Sequence, residues 1–144
     1  MPAQQVHPQF PNIASARLGD FDYVFYHAIE DTTIWVLDAT SSVLFESESG
    51  FRPLAASTWA TENEVHLYYV GRGQHLREVY TTDQGATWKA GQVNDLDAEA
   101  PDGSGLGATG SPSPAVYIVD RFNYIAEFRY DTGSSQYITL EQTT

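Results

Sequence analysis

Apolar and polar positions alternate along this chain in short runs, with aromatic and β-branched residues on one phase. Ser, Asp, Asn, Gly or Pro closes each run. A period of two over four to eight residues is the signature of half-buried strands. The pattern predicts strands at about 13–17, 22–28, 33–38, 42–46, 54–59, 64–70, 75–81, 87–90, 114–119, 124–130 and 136–141, with a weaker small-residue strand at 106–109. No window of twelve residues carries an apolar helical face free of Gly, Pro or clustered β-branched residues. The expected fold class is all-β.

The strands repeat. Tyr23–His27 (YVFYH), His66–Val70 (HLYYV) and Ala115–Val119 (AVYIV) are alike, with offsets of 43 and 49 residues. Each is followed by a polar turn and a second strand: Ile34–Leu37 (IWVL), Leu76–Tyr80 (LREVY) and Ile125–Arg129 (IAEFR). Each is preceded by a strand of small residues: Ile13–Ala16, Leu54–Ser57 and Leu106–Thr109. A short outer strand completes each unit. Three four-stranded units at such a period describe β-propeller blades, whereas an immunoglobulin-like sandwich has no internal period. The expected organisation is an N-terminal arm over 1–12 and a three-bladed segment over 13–144, with blades near 13–50, 51–92 and 104–144. A closed propeller takes four or more blades, and an open segment leaves sheet edges that invite pairing. The sequence therefore predicts a homo-oligomer, most economically a twofold dimer closing a six-bladed ring.

Charge and composition narrow the function. The 144 residues carry 7 Lys and Arg against 19 Asp and Glu, a net charge of −12. Seven scattered cations cannot form a phosphate-neutralising stripe, so nucleic acid and anionic membrane surfaces are excluded as expected partners. With no cysteine there is no disulfide framework, thiolate nucleophile or thiolate zinc site. No stretch of about 18 apolar residues occurs, and the N-terminus lacks the basic start and apolar core of a leader. The default expectation is a cytoplasmic or non-classically secreted protein. His7, His27, His66 and His75 are too dispersed to indicate a metal site, and no cofactor is implied. The acidic loop from Asp95 places Ala100 and Leu106 where a calcium loop needs Gly and a bidentate Glu, so it reads as a solvated loop.

Thr81–Trp88 (TTDQGATW) matches S/T-x-D-x-G-x-T-W, the Asp-box of sialidase-like propellers. Its chemistry is that of a hairpin: Asp83 accepts turn N–H groups, Gly85 supplies a positive φ, and Trp88 packs back on the sheet. Sialidase activity would also need an arginine triad and a Tyr/Glu nucleophile pair, which three blades do not supply.

The central unit, through Leu54–Trp59, Val65–Tyr69, Leu76–Tyr80, Gly85–Trp88 and Lys89–Gly91, resembles a blade of the fungal and bacterial fucose-binding lectins of the orange-peel mushroom type. The third unit fits through Val116, Tyr117, Glu127 and Asp131–Gly133, and the first by hydrophobic pattern alone. The resemblance implies a six-bladed propeller that binds sugar between adjacent blades. An Arg and a Glu would hold its hydroxyls and an aromatic ring would cover its apolar face. Carried over by position, the Arg/Glu pair falls on Tyr23/Trp35, His66/Glu78 and Ala115/Glu127, always twelve apart, and none of the three keeps the Arg. The implied sugar-binding set is Glu78 and Glu127 as acceptors, His66 and Arg129 as donors, and Trp88, Trp59 or Tyr117 as platforms. The expected function is non-catalytic recognition of a fucose-type or other hexose. The alternatives are a lectin-fold enzyme of isomerase or cyclase type acting on a hydrophobic small molecule, and an interaction module with degenerate sugar sites.

Overall fold

A computed structural model describes residues 13–27, 33–37, 41–46, 53–101 and 104–141. The arm expected at 1–12 lies outside them. Twelve strands form three four-stranded antiparallel sheets, each a simple meander. The first holds β1 (Ile13–Leu18), β2 (Phe21–His27), β3 (Thr33–Leu37) and β4 (Ser41–Glu46). The second holds β5 (Leu54–Trp59), β6 (Glu64–Val70), β7 (Leu76–Thr81) and β8 (Lys89–Ala90). The third holds β9 (Leu106–Thr109), β10 (Ala115–Val119), β11 (Ile125–Asp131) and β12 (Gln136–Glu141). Among the described residues the helical elements are short 3-10 turns alone. These sheets are the blades that the repeat predicts.

The small-residue strands β1, β5 and β9 lie side by side as the inner strands. Their composition follows from crowding. Thr58 Oγ1 donates to the Arg17 carbonyl at 2.8 Å, and the Ser111 N–H donates to the Thr58 carbonyl at 3.2 Å. A Cβ on Gly110 would collide with the Thr58 backbone.

The faces between blades are apolar. Phe25, Ile34 and Val36 of the first blade meet Val65 and Leu67 of the second. Tyr68, Val70 and Leu76 meet Val116, Ile118 and Phe128 of the third. The middle sheet is thus buried on both faces, which is why β6 reads as a nearly continuous apolar run. Each fully buried aliphatic or aromatic side chain contributes about 1.5–3 kcal/mol, against about 1 kcal/mol for a typical hydrogen bond, so these faces hold the blades together more than the inner-strand links do.

The second blade ends differently from the others. Strand β8 is two residues long, and the connection after it runs back along β7. Asn94 clasps the Glu78 backbone, accepting from its N–H at 2.8 Å and donating to its carbonyl at 3.2 Å. Leu76 N–H then donates to the Ala98 carbonyl at 2.8 Å. This detour accounts for the longer second offset in the repeat.

The first blade corrects one expectation. Glu78 lies across the ladder from Tyr68, and Glu127 from Tyr117. The residue across from Phe25, which corresponds to Tyr68, is Val36 and not Trp35. One extra residue between β2 and β3 has shifted the register, so the spacing of twelve does not carry the paired position into this blade.

Candidate functional site at the second and third blades

In the second blade, alternation along β6 and β7 points His66, Tyr68, Glu78 and Tyr80 at the third blade. Glu78 is 1% exposed and accepts three hydrogen bonds. His66 Nδ1 stands 2.5 Å from Oε2, the Tyr137 hydroxyl donates to the same oxygen at 2.7 Å, and the Val93 N–H donates to Oε1 at 3.2 Å. A Cβ on Gly91 would strike this carboxylate, so only glycine lets the connection pass. The other nitrogen of His66 lies 2.9 Å from Glu64 Oε1. Each ring nitrogen thus faces a carboxylate.

The His66 ring is stacked between Trp59, with centroids 3.8 Å apart, and Tyr80, at 5.1 Å. The Tyr68 and Tyr137 hydroxyls are 2.8 Å apart. Burial first, and then the charge of Glu78, hold the Tyr68 phenol well above its ordinary pKa. Burial likewise raises Tyr137, with Tyr68 and Glu78 adding to it. Both phenols therefore stay neutral, and the proton order runs from Tyr68 O–H to Tyr137 and from Tyr137 O–H to Glu78. The pocket beside this cluster has a volume of about 120 Å³ and is closed on the third-blade side by Tyr130 and Tyr137. The indole N–H of Trp59 is buried without a hydrogen-bond partner.

In the third blade the corresponding carboxylate faces outward, away from the second. Glu127 holds Arg129 in a fork, Nε to Oε2 and Nη2 to Oε1 at 3.3 Å each. Arg129 Nη2 also donates to the Tyr117 hydroxyl at 3.1 Å, and Nη1 to the Ser113 carbonyl at 2.9 Å and to the Ser113 hydroxyl. Arg129 lies directly across the ladder from Ala115. Arg129 is thus the cross-strand neighbour of the position at which the resemblance implies an arginine. Hydrogen bonds from Arg129 and then Tyr117 lower the pKa of Glu127. The bond to Glu127 raises both Tyr117 and Arg129.

The predicted residues therefore divide into groups. Trp59, His66 and Glu78 come together at one junction, and Tyr117, Glu127 and Arg129 on the outer face of the third blade. Trp88 joins neither: it packs edge-on against Phe25 of the first blade, with centroids 5.7 Å apart. Sequence reasoning missed Glu64, Tyr80, Tyr130 and Tyr137. Tyr137 was within reach, because the 49-residue offset carries Trp88 onto it. The two rings do the same job at successive junctions, Trp88 on Phe25 and Tyr137 on Tyr68. Among the described residues, no group of three His, Asp or Glu side chains is placed to hold a metal ion.

Comparison with solved structures matches this arrangement. Superposition on AofleA from Arthrobotrys oligospora gives a TM-score of 0.77 at 22% identity, over 94% of this chain and 41% of that one. The fucose-specific lectin of Aleuria aurantia, a six-bladed β-propeller, gives 0.72 at 19% over 96% of this chain and 50% of that one. The fold is that of the fucose-lectin propellers. The chain spans half or less of these two proteins. A fucose lectin from Kordia zhangzhouensis, solved with methyl-fucoside, is covered in full by 92% of this chain, with a TM-score of 0.63 at 13% identity. No protein-family model matches the sequence, and no curated protein matches it.

Proposed function

We propose that this protein is a non-catalytic lectin that binds a fucose-type or related hexose on the outer face of its third blade. The observation that carries the reading is the fork of Arg129 on Glu127 beside the Tyr117 hydroxyl. The Glu127 carboxylate holds the guanidinium and the phenol in fixed positions around it, a charged and hydroxylic set of the kind that sugar hydroxyls meet. Such a set suits vicinal hydroxyls, and the Tyr117 ring offers an apolar surface beside it. The structural neighbours named for fucose and methyl-fucoside support the same class of ligand. At the second blade, His66 and Tyr137 take up the Glu78 acceptor, and its pocket falls below the roughly 300–1,000 Å³ of ordinary ligand sites. His66, Glu78 and Trp59 then serve chiefly to lock the blades.

The reading includes ring closure by a second copy. Ile125, Ile138 and Leu140 stand exposed on the face that carries Glu127 and Arg129, and Ile13 on the outer face of the first blade. Packing one face on the other would bury both and wall the third-blade site.

The test is calorimetry with fucose, backed by a glycan array. Arg129→Ala and Glu127→Gln are expected to weaken binding by about tenfold or more, since each removes charge-assisted hydrogen bonds. His66→Phe is expected to change affinity by less than about twofold, a shift of no more than about 0.4 kcal/mol. Silence toward all monosaccharides and arrayed glycans from a folded protein would overturn the reading.

A further inference from the structure

The cleft between the second and third blades opens again at its other end, beyond the core of Val70, Leu76 and Phe128. There the connection after β8 faces the β10–β11 hairpin across a pocket of about 750 Å³, within the range of small-molecule sites. Its floor is apolar, from Leu96, Ala98, Ile118 and Phe128. At its mouth stand Phe122, 64% exposed, and Tyr124, 48% exposed, large rings left in water on a tight hairpin. Rings held so, beside an apolar floor, mark a surface that gains by being covered.

The charge around the mouth selects the occupant. Among the described residues, Asp97, Glu99 and Asp120 line it against a single cation, Arg121. Asp120 spends one carboxylate oxygen on the N–H groups of Phe122 and Tyr124, at 2.8 and 3.0 Å. Asp97 meets His75 Nδ1 at 3.2 Å. Glu99 is exposed, and its carboxylate meets no cation among the described residues. Arg121 already lies over the Phe122 ring, 4.9 Å from its centroid, so that ring accepts a positive charge in this setting.

We propose that this pocket binds a small amphiphilic cation, an apolar or aromatic body carrying an ammonium group. The body would cover the floor and the Phe122 and Tyr124 rings, and the ammonium would sit at Glu99. An anion of the same shape meets three carboxylates and a chain of net charge −12. The pocket shares Ile125 and Leu140 with the face proposed for ring closure, but Tyr117, Glu127 and Arg129 do not line it, so its test is separate from that of the sugar site.

The experiment titrates 4-phenylbutylammonium and 4-phenylbutanoate into the full chain, following backbone amide shifts. The expected result is saturable binding of the amine, with shifts confined to Leu96–Glu99 and Arg121–Ile125, and the carboxylate roughly fivefold weaker or more. Glu99→Gln should close most of that gap, and Phe122→Ser should weaken both probes. Both side chains are exposed, so near-ultraviolet circular dichroism should not change; if Phe122→Ser does disturb the fold, Glu99→Gln still decides the matter. Absent saturation by the amine, equal affinity for the carboxylate, or shifts centred elsewhere would each overturn the proposal. So would ligand-free shifts at Leu96–Glu99 and Phe122 that follow protein concentration, which would make a second copy the occupant; such shifts at Ile125 alone are those of ring closure.

Discussion

Glu78 and Glu127 occupy equivalent places in their blades, yet their surroundings divide their roles. Glu78 is sealed by the neighbouring blade and the connection through Gly91, so its acceptors are met from within. Gly91 has an ordinary negative φ, −90°, so only the space is lacking there. Gly91→Ala is expected to cost about 1–3 kcal/mol, the usual penalty for overpacking, measured by urea denaturation. Asp83 makes a different kind of prediction. Its hydrogen bonds to Thr87, first through the side chain and then the backbone, with Thr81 adding a third, lower its pKa from 3.8 to about 2. A carboxylate lowered on folding adds stability above its unfolded pKa and loses it as pH falls through the folded value. The melting-temperature advantage of the wild type over Asp83→Asn should therefore persist near neutral pH and fade between about pH 4 and 2. Both glutamates were named by position from the lectin resemblance, and Asp83 from its motif. Arg129 as the fork was legible only as one candidate donor, because pairing across β10 and β11 decides which arginine reaches Glu127.

Every strand was legible, since alternation and turn residues report local chain preference directly. Register was not. Whether Val36 or Trp35 faces Phe25 depends on one residue in the β2–β3 connection, which leaves no mark on the alternation itself. The detour after β8 was equally hidden, because Asn94 and Val93 act by reaching a neighbour fifteen or sixteen residues away. At this scale the junction between the second and third blades adds the Tyr68–Tyr137–Glu78 chain to its apolar packing. Tyr137→Phe should destabilise by about 1–3 kcal/mol, leaving the Tyr68 hydroxyl without its acceptor and Glu78 with one donor fewer. Tyr68→Phe with Tyr137→Phe should cost less than the sum of the two single changes. A double-mutant cycle in denaturant measures that coupling.

At the scale of the molecule, three blades stacked through apolar faces leave two outer faces with different chemistry. The third blade offers Ile125, Ile138 and Leu140 around a charged fork, and the first offers Ile13. Native mass spectrometry at micromolar concentration is expected to give a dimer, and Ile138→Glu with Leu140→Glu to give a monomer. A stable wild-type monomer would leave the third-blade site unwalled and count against ring closure. The one-residue slip in the first blade bears on how such repeats diverge. A glutamate at 36 would occupy the right register, but it would arrive among Phe25, Leu67 and Trp88, with no donor to meet it. A glutamate at 35 would lie one residue out of register. No single substitution leads back to the paired site, only a deletion together with several changes around it. A point mutation therefore does not give the first blade the paired carboxylate that the other two carry, and Phe25 and Val36 serve the packing of its junction.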